Sequence, residues 1–259
     1  MGEKITVSCG CDDNYYHHAR VLIQSINKHS PNVDIELTGV NLSRNNIDDA
    51  ELLGVKIVND RVNLTDMKIL IARGIDLKHP RMNGYRTRLV SPFVCYTVHS
   101  KFYNAHRLLT QGMDNILIMD ADAIVRGDLN SMLKLLDNHD LAVNYDTRRP
   151  GGMLPVEYPV FKEGVMLVKS CETTKLFFKK IAEQLKELTF TNNSKHLDID
   201  SDSEIMGKVY HEMKPSIRLT NIPTIYKDTE FNEDSIIWSG KGDRKTTSSK
   251  YVELFNTYT

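Results

Sequence analysis

Apolar and polar positions follow two periods along the first sixty residues. Ile5 to Cys11 is a mostly apolar run that predicts a buried strand, with Cys9 and Cys11 two apart and facing the same side. A polar turn follows, Asp12-Asp13-Asn14-Tyr15. From His17 onward, Ala19, Leu22, Ile23 and Ile26 recur at helical spacing, and Asn27 to Pro31 closes that helix with turn residues. Val33 to Val40 predicts a second strand and Val55 to Val58 a third, with a helix over Asn45 to Leu53 between them. This alternation of strand and helix predicts parallel strands joined by crossover helices.

Leu64 to Asn83 is ambiguous: Met67 to Ile71 suits helix or strand, and Lys78 to Gly84 suits a loop. Ser91 to Leu109 predicts a helix with Phe93, Val94, Thr97, Val98, Phe102, Ala105, Leu108 and Leu109 on one face, ended by Gly112. The sharpest local pattern comes next. Ile116 to Met119 is apolar and stops abruptly at Asp120-Ala121-Asp122. Leu141 to Asn144 is a short strand ending at Tyr145-Asp146, and Gly164 to Val168 is another, preceded by the turn-like Gly151-Gly152. Thr173 to Leu188 is an amphipathic helix with Leu176, Phe177, Ile181, Leu185 and Leu188 inward and Lys175, Lys179, Lys180 and Lys186 in solvent. No repeat or linker divides the chain, so a single domain over 1–259 is expected, with two halves meeting near residue 145.

Composition narrows the functional classes. Thirty-three Lys and Arg against 34 Asp and Glu leave a net charge of −1, so nucleic acid is not indicated as a partner. No apolar run approaches the roughly 20 residues of a membrane span, and the N-terminus has no signal-peptide apolar region. Gly2 with Thr6 matches the bare myristoylation pattern, but a strand starting at Ile5 leaves no arm to acylate. Four scattered cysteines do not make a disulfide framework, and a cytoplasmic location with reduced thiols is expected.

Alternate side chains of a strand share a face, so Asp120 and Asp122 project the same way just past the end of a buried strand. Open α/β sheets bind ligands there. Two carboxylates a few ångströms apart repel strongly in a partly dry site. A divalent cation resolves the repulsion, and oxygen ligands favour Mg²⁺ or Mn²⁺. The structural alternative is a pair of acids capping a turn, with Arg126 as counterion.

The stretch Ile116 to Leu129, Ile-Leu-Ile-Met-Asp-Ala-Asp-Ala-Ile-Val-Arg-Gly-Asp-Leu, resembles the metal-binding segment of GT-A glycosyltransferases, most of all the retaining family-8 group. Further segments resemble that family in order along the chain, from Ile5 to about Lys245. The resemblance implies a GT-A α/β fold, with a central mixed, mostly parallel sheet flanked by helices. It implies a nucleotide and metal half over about 1–145 and a sugar and acceptor half over about 146–259. The function implied is transfer of a sugar from a nucleoside-diphosphate donor, UDP by expectation, to an acceptor hydroxyl with retention. Asp120 and Asp122 would hold Mn²⁺ or Mg²⁺, with Ala121 between them at the donor; Asp13 and Tyr15 would hold the nucleoside. Lys101 or Arg107 would be the basic residue that precedes the metal strand. Asp146 and Asp202 would line the sugar as the catalytic acids, with Asp200 an alternative register for Asp202. Lys241, Gly242, Arg244 and Lys245 would meet the diphosphate. The chain departs from the family pattern at Ser239, where the third metal ligand, a His, is expected, and at Lys162-Glu163, which replace a polar pair. The acceptor is left open among a glycan, a lipid-linked sugar and a protein. Two other readings stand beside this one: a sugar-nucleotide or glycan binder with weak turnover, and a phosphatase of haloacid-dehalogenase type, whose nucleophile loop also reads Asp-x-Asp.

Overall fold

The structure is a computed structural model that describes residues 4–63, 92–146, 159–190 and 201–259. The ambiguous stretch after Leu64, the Gly151-Gly152 turn and Asp200 lie outside the described residues. The chain order is β1 (Ile5–Asp12), α1 (Tyr16–His29), β2 (Asp34–Val40), α2 (Arg44–Leu52), β3 (Lys56–Asp60), α3 (Pro92–Thr110), β4 (Asn115–Asp120) and β5 (Ala123–Val125). A 3₁₀ segment (Leu129–Leu136) leads to β6 (Leu141–Asp146), β7 (Val160–Lys169), α4 (Glu172–Phe190), α5 (Ser201–Met213), β8 (Leu219–Thr220), β9 (Ile237–Ser239), α6 (Arg244–Thr247) and α7 (Ser249–Asn256).

Seven strands form one sheet in the order β3-β2-β1-β4-β7-β6-β8. The pairs among β3, β2, β1 and β4 are parallel, as the early alternation predicts. β7 runs antiparallel to both β4 and β6 and is longer than its apolar core suggests, because Val160 to Glu163 extend it past a register shift beside Val143 and Asn144. β5 and β9 pair apart as a two-stranded ribbon. Strands of three residues carry too little pattern for periodicity to predict either one.

Both faces of β4 are buried. Leu117 and Met119 join a core with Ala19, Leu22 and Ile23 of α1, whereas Ile116 and Ile118 join another with Phe102 of α3, Phe178 of α4 and Met206 of α5. Full burial of each such side chain stabilises by roughly 1.5–3 kcal/mol. A one-residue slip would exchange the two faces and draw Asp120 into the apolar sheet, so the strand's own sequence pins the acids at its carboxyl end. Two helical faces are rotated from expectation. Val94 and Leu176 are exposed, because α3 turns Cys95, His99 and Phe102 inward and α4 turns Phe177, Phe178, Ile181 and Leu185 inward. Gly112 ends α3 at φ +85°, with Gly112 N–H donating to the Leu109 carbonyl and Met113 N–H to that of Leu108.

Candidate active site

Asp120 closes β4, and the chain turns through Ala121 and Asp122 into β5. Room for the Asp120 carboxylate comes from Gly164 on the neighbouring strand, where a Cβ would lie 2.7 Å from Asp120 Oδ2. Asp122 is fixed through its backbone. Its carbonyl accepts from Gly240 N–H at 2.9 Å and from the Tyr251 hydroxyl at 2.8 Å, which ties the turn to α7. A Cβ on Gly240 would sit 2.8 Å from that same carbonyl.

Three lysines converge on these acids. Lys101, carried inward on α3, lies 3.3 Å from Asp120 Oδ1 and 3.6 Å from Asp202 Oδ2. Asn104, one turn further along α3, donates to Ser8 Oγ at 2.7 Å and holds that helix onto β1. Lys245, on α6, reaches Asp122 Oδ2 at 2.9 Å and the Tyr15 hydroxyl at 3.3 Å, with its ammonium 4.9 Å from the centre of the Tyr15 ring. Lys227 is buried beside Gly164 and donates to the Lys162 carbonyl. Arg126 is not the counterion of the pair. It stacks on Trp238 at 4.1 Å and binds Glu233 at 2.9 Å.

The charges bias one another. Burial alone would raise the Asp120 carboxyl, but Lys101 and Lys227 outweigh it and hold it below the usual range. Asp122 is pushed up by burial and then by the Asp120 charge, more than Lys245 offsets. Asp202 is raised by burial and by Glu163, and Glu163 is raised chiefly by burial. Burial lowers Lys227 to about 8 against the pull of Asp120 and Glu163. Glu163 Oε1 is shielded from solvent and has no hydrogen-bond partner among the described residues.

The other sequence-derived residues fall as follows. Tyr15 is exposed under Lys245, and Ala121 is buried in the turn. Asp13 lies in the loop after β1, where its Oδ1 accepts from Ser43 N–H and Asn46 Nδ2, each at 2.8 Å, at the start of α2. Arg107 pairs with Glu36 and Asn104, so of the two basic candidates on α3 it is Lys101 that meets the acids. Asp146 ends β6, which is separated from β4 by β7. Lys241 and Gly242 (φ +74°) form the exposed loop before α6, and Arg244 lies 3.7 Å from Glu230. Ser239 is buried on β9 opposite Ala123. Sequence reasoning misses Lys227 and Tyr251. A lone lysine or tyrosine in a polar stretch carries no spacing signal, whereas Glu163 is visible as a departure from the family segment.

No curated protein sequence matches the chain. Among solved structures it is similar to the galactosyltransferase LgtC in complex with donor and acceptor sugar analogs, at TM-score 0.59 and 15% identity over 98% of this chain and 95% of that one. The glycosyltransferase GlyE of Streptococcus pneumoniae is similar at TM-score 0.57 and 15% identity, over 100% of this chain and 60% of that one. Mouse xyloside xylosyltransferase 1 follows at TM-score 0.51 and 11% identity, over 94% and 99%. These likenesses show a GT-A fold. The model of glycosyl transferase family 8 matches residues 6–206, which removes the phosphatase reading. The chain therefore belongs to glycosyltransferase family 8 and is a GT-A nucleotide-sugar glycosyltransferase.

Proposed function

We propose that the protein transfers a sugar from a UDP-linked donor to an acceptor hydroxyl with retention, assisted by a divalent cation. The observation that carries this reading is the convergence of Lys101, Lys227 and Lys245 on Asp120 and Asp122 beyond the carboxyl end of β4. The described residues supply only part of a coordination shell. Among the described residues no group of three or more His, Cys, Asp and Glu is placed to hold a metal ion. Mg²⁺ and Mn²⁺ suit such a half-built site, since one or two carboxylates with water and substrate phosphates complete their shells. The Asp122 carboxyl, raised by burial and then by the Asp120 charge, supports the fit, because the second of these is a repulsion a cation relieves.

Asp120 and Asp122 would hold that cation, whose chemistry is to stabilise negative charge on the departing diphosphate. Lys245, with Lys241 and Arg244, neutralises the same diphosphate from the α6 side. Tyr15 offers a ring for the base, and Asp13 an acceptor for the nucleoside. Asp202, with Asp146, faces the sugar and stabilises positive charge at its anomeric carbon. The bond from that carbon to the diphosphate breaks as the bond to the acceptor oxygen forms. The acceptor proton passes to the departing phosphate oxygen on the same face, so no separate base is required. The two halves of the chain act as one domain, and four free cysteines support a cytoplasmic setting. The experiment is UDP release from UDP-glucose and UDP-galactose with and without Mn²⁺. Release that depends on Mn²⁺ is expected, and equal release after chelation removes the cation from the account.

A further inference from the structure

Of the three lysines that converge on the acid pair, Lys227 is the one whose charge is left unmatched. Lys101 lies within ion-pair distance of Asp120 and Asp202, and Lys245 pairs with Asp122. Among the described residues no carboxylate pairs with Lys227, and its hydrogen bond goes to the uncharged Lys162 carbonyl. The backbone that carries it is fixed. Lys227 N–H donates to the Thr224 carbonyl at 2.9 Å and Asp228 N–H to that of Ile237 at 3.0 Å, while Ser239 N–H returns to the Asp228 carbonyl at 2.7 Å. Lys227 is 8% exposed and passes over Gly164, where an added Cβ would lie 3.4 Å from Lys227 Nζ and 2.7 Å from Asp120 Oδ2. The ammonium and that oxygen therefore flank one glycine, while Lys101 takes the other oxygen, Oδ1. Burial is outweighed by Asp120 at Lys101 and by Asp122 at Lys245, and both stay above the usual lysine range, whereas at Lys227 burial wins.

A fixed, unmatched positive charge beside Asp120 acts in opposite directions on the two ligands assigned to the site above. It repels a divalent cation held by Asp120 and Asp122, and it attracts the diphosphate. A paired lysine can release its acid as a cation arrives, but Lys227 has no acid to release. We propose that Lys227 is a built-in counter-cation that sets the order in which the site is filled: it keeps affinity for the free divalent cation low, so that the cation enters with the diphosphate and not before it. Close to a protein surface, a unit charge a few ångströms from a divalent ion shifts its affinity by about tenfold or more. The proposal rests on the donor-site reading above and adds to it a residue that governs how the cation is taken up.

The test compares wild type, Lys227→Met and Lys227→Gln. Met removes the charge and keeps the bulk, whereas Gln removes the charge and keeps an N–H for the Lys162 carbonyl. Mn²⁺ binding without nucleotide is followed by loss of the electron paramagnetic resonance signal of free Mn²⁺, and UDP binding without metal by calorimetry. Both variants are expected to bind Mn²⁺ about tenfold more tightly than wild type and UDP about threefold or more weakly. The opposite signs are the signature of charge, because a damaged fold weakens both ligands. The proposal is overturned if Mn²⁺ affinity is unchanged or weaker in both variants. It is also overturned if only Lys227→Met shows the shift, which would assign the effect to the lost hydrogen bond. By linkage, UDP tightens Mn²⁺ in wild type by the factor with which Mn²⁺ tightens UDP. A wild type whose Mn²⁺ affinity is the same with and without UDP overturns the donor-site reading itself and this proposal with it. Coupling that is present in wild type, with Mn²⁺ affinity unaltered in both variants, overturns this proposal alone.

Discussion

Asp228 and Asp202 are both acids out of reach of water, and the protein holds them in opposite ways. The Asp228 carboxylate is closed off by fixed donors: Glu230 N–H at 2.7 Å, Asn232 N–H at 2.6 Å and the Ser235 hydroxyl at 2.7 Å. Burial would raise it, yet those bonds outweigh burial and hold it below the usual range. Asp202 accepts a single backbone N–H, from Ser203 at 2.8 Å, shares one lysine with Asp120, and is pushed upward by burial and then by the charge of Glu163. An acid closed off by three fixed donors within its own loop organises that loop and cannot be borrowed. Acids neutralised by the ends of flexible lysine side chains can exchange partners when a charged ligand arrives. By that measure the 228–235 loop is structure, whereas the cluster beyond β4 is built as the proposed donor site requires.

The strongest way to break the contrast is to neutralise one acid of each kind. Asp122→Asn is expected to lower turnover by about a hundredfold or more, about 3 kcal/mol of transition-state stabilisation, with little change in the unfolding midpoint. Turnover near wild type at saturating donor would place Asp122 with the structural acids. Asp228→Ala is expected to lower stability in urea by about 2 kcal/mol, because three bonded donors lose their acceptor. A stability unchanged by that variant would mean the loop does not depend on its acid.

His99 sharpens the contrast from the basic side. It is fully buried in α3 with both ring nitrogens unpartnered among the described residues, and burial, then Lys101, lowers it to about 3. The unfolded chain takes up this proton below pH 6.5 while the folded protein does not. Stability contributed by the neutral ring is therefore present above pH 6.5 and lost as pH falls toward 3, at a limiting slope of about 1.4 kcal/mol per pH unit. Melting curves between pH 6.5 and 4.5 should show this loss, and His99→Leu should flatten it; an identical slope in the variant would assign the acid sensitivity elsewhere. The smallest effect expected is at Ser239, which sits two positions past Ile237 on the ribbon that carries Asp122. Ser239→His should tighten Mn²⁺ severalfold by adding an imidazole ligand, and an unchanged Mn²⁺ titration would show that β9 does not face the cation.

How much of this is legible in the sequence depends on whether a feature is local. β4 and its two acids are readable because burial on both faces forces an apolar run to end where charge begins. The first three parallel strands follow from period alone. Lys245 is reachable through family order, and the structure sets it on Asp122 from 123 positions away in sequence. Lys227 and Tyr251 are not legible, since their roles arise from tertiary approach to Gly164 and to the Asp122 carbonyl. Val94 and Leu176 mislead because an amphipathic stripe fixes a helix's inward side only to within a residue or so. Arg126 is the nearest arginine in sequence to the acid pair, yet cation–π contact with Trp238 takes it elsewhere.

The most direct test of the central claim is calorimetric binding of UDP, with and without Mn²⁺, to wild type and Asp122→Asn. The account predicts that Mn²⁺ tightens UDP binding to wild type by at least about tenfold and that the variant loses this dependence. UDP affinity that is the same with and without Mn²⁺ in wild type and variant alike would contradict a donor site built on these two acids.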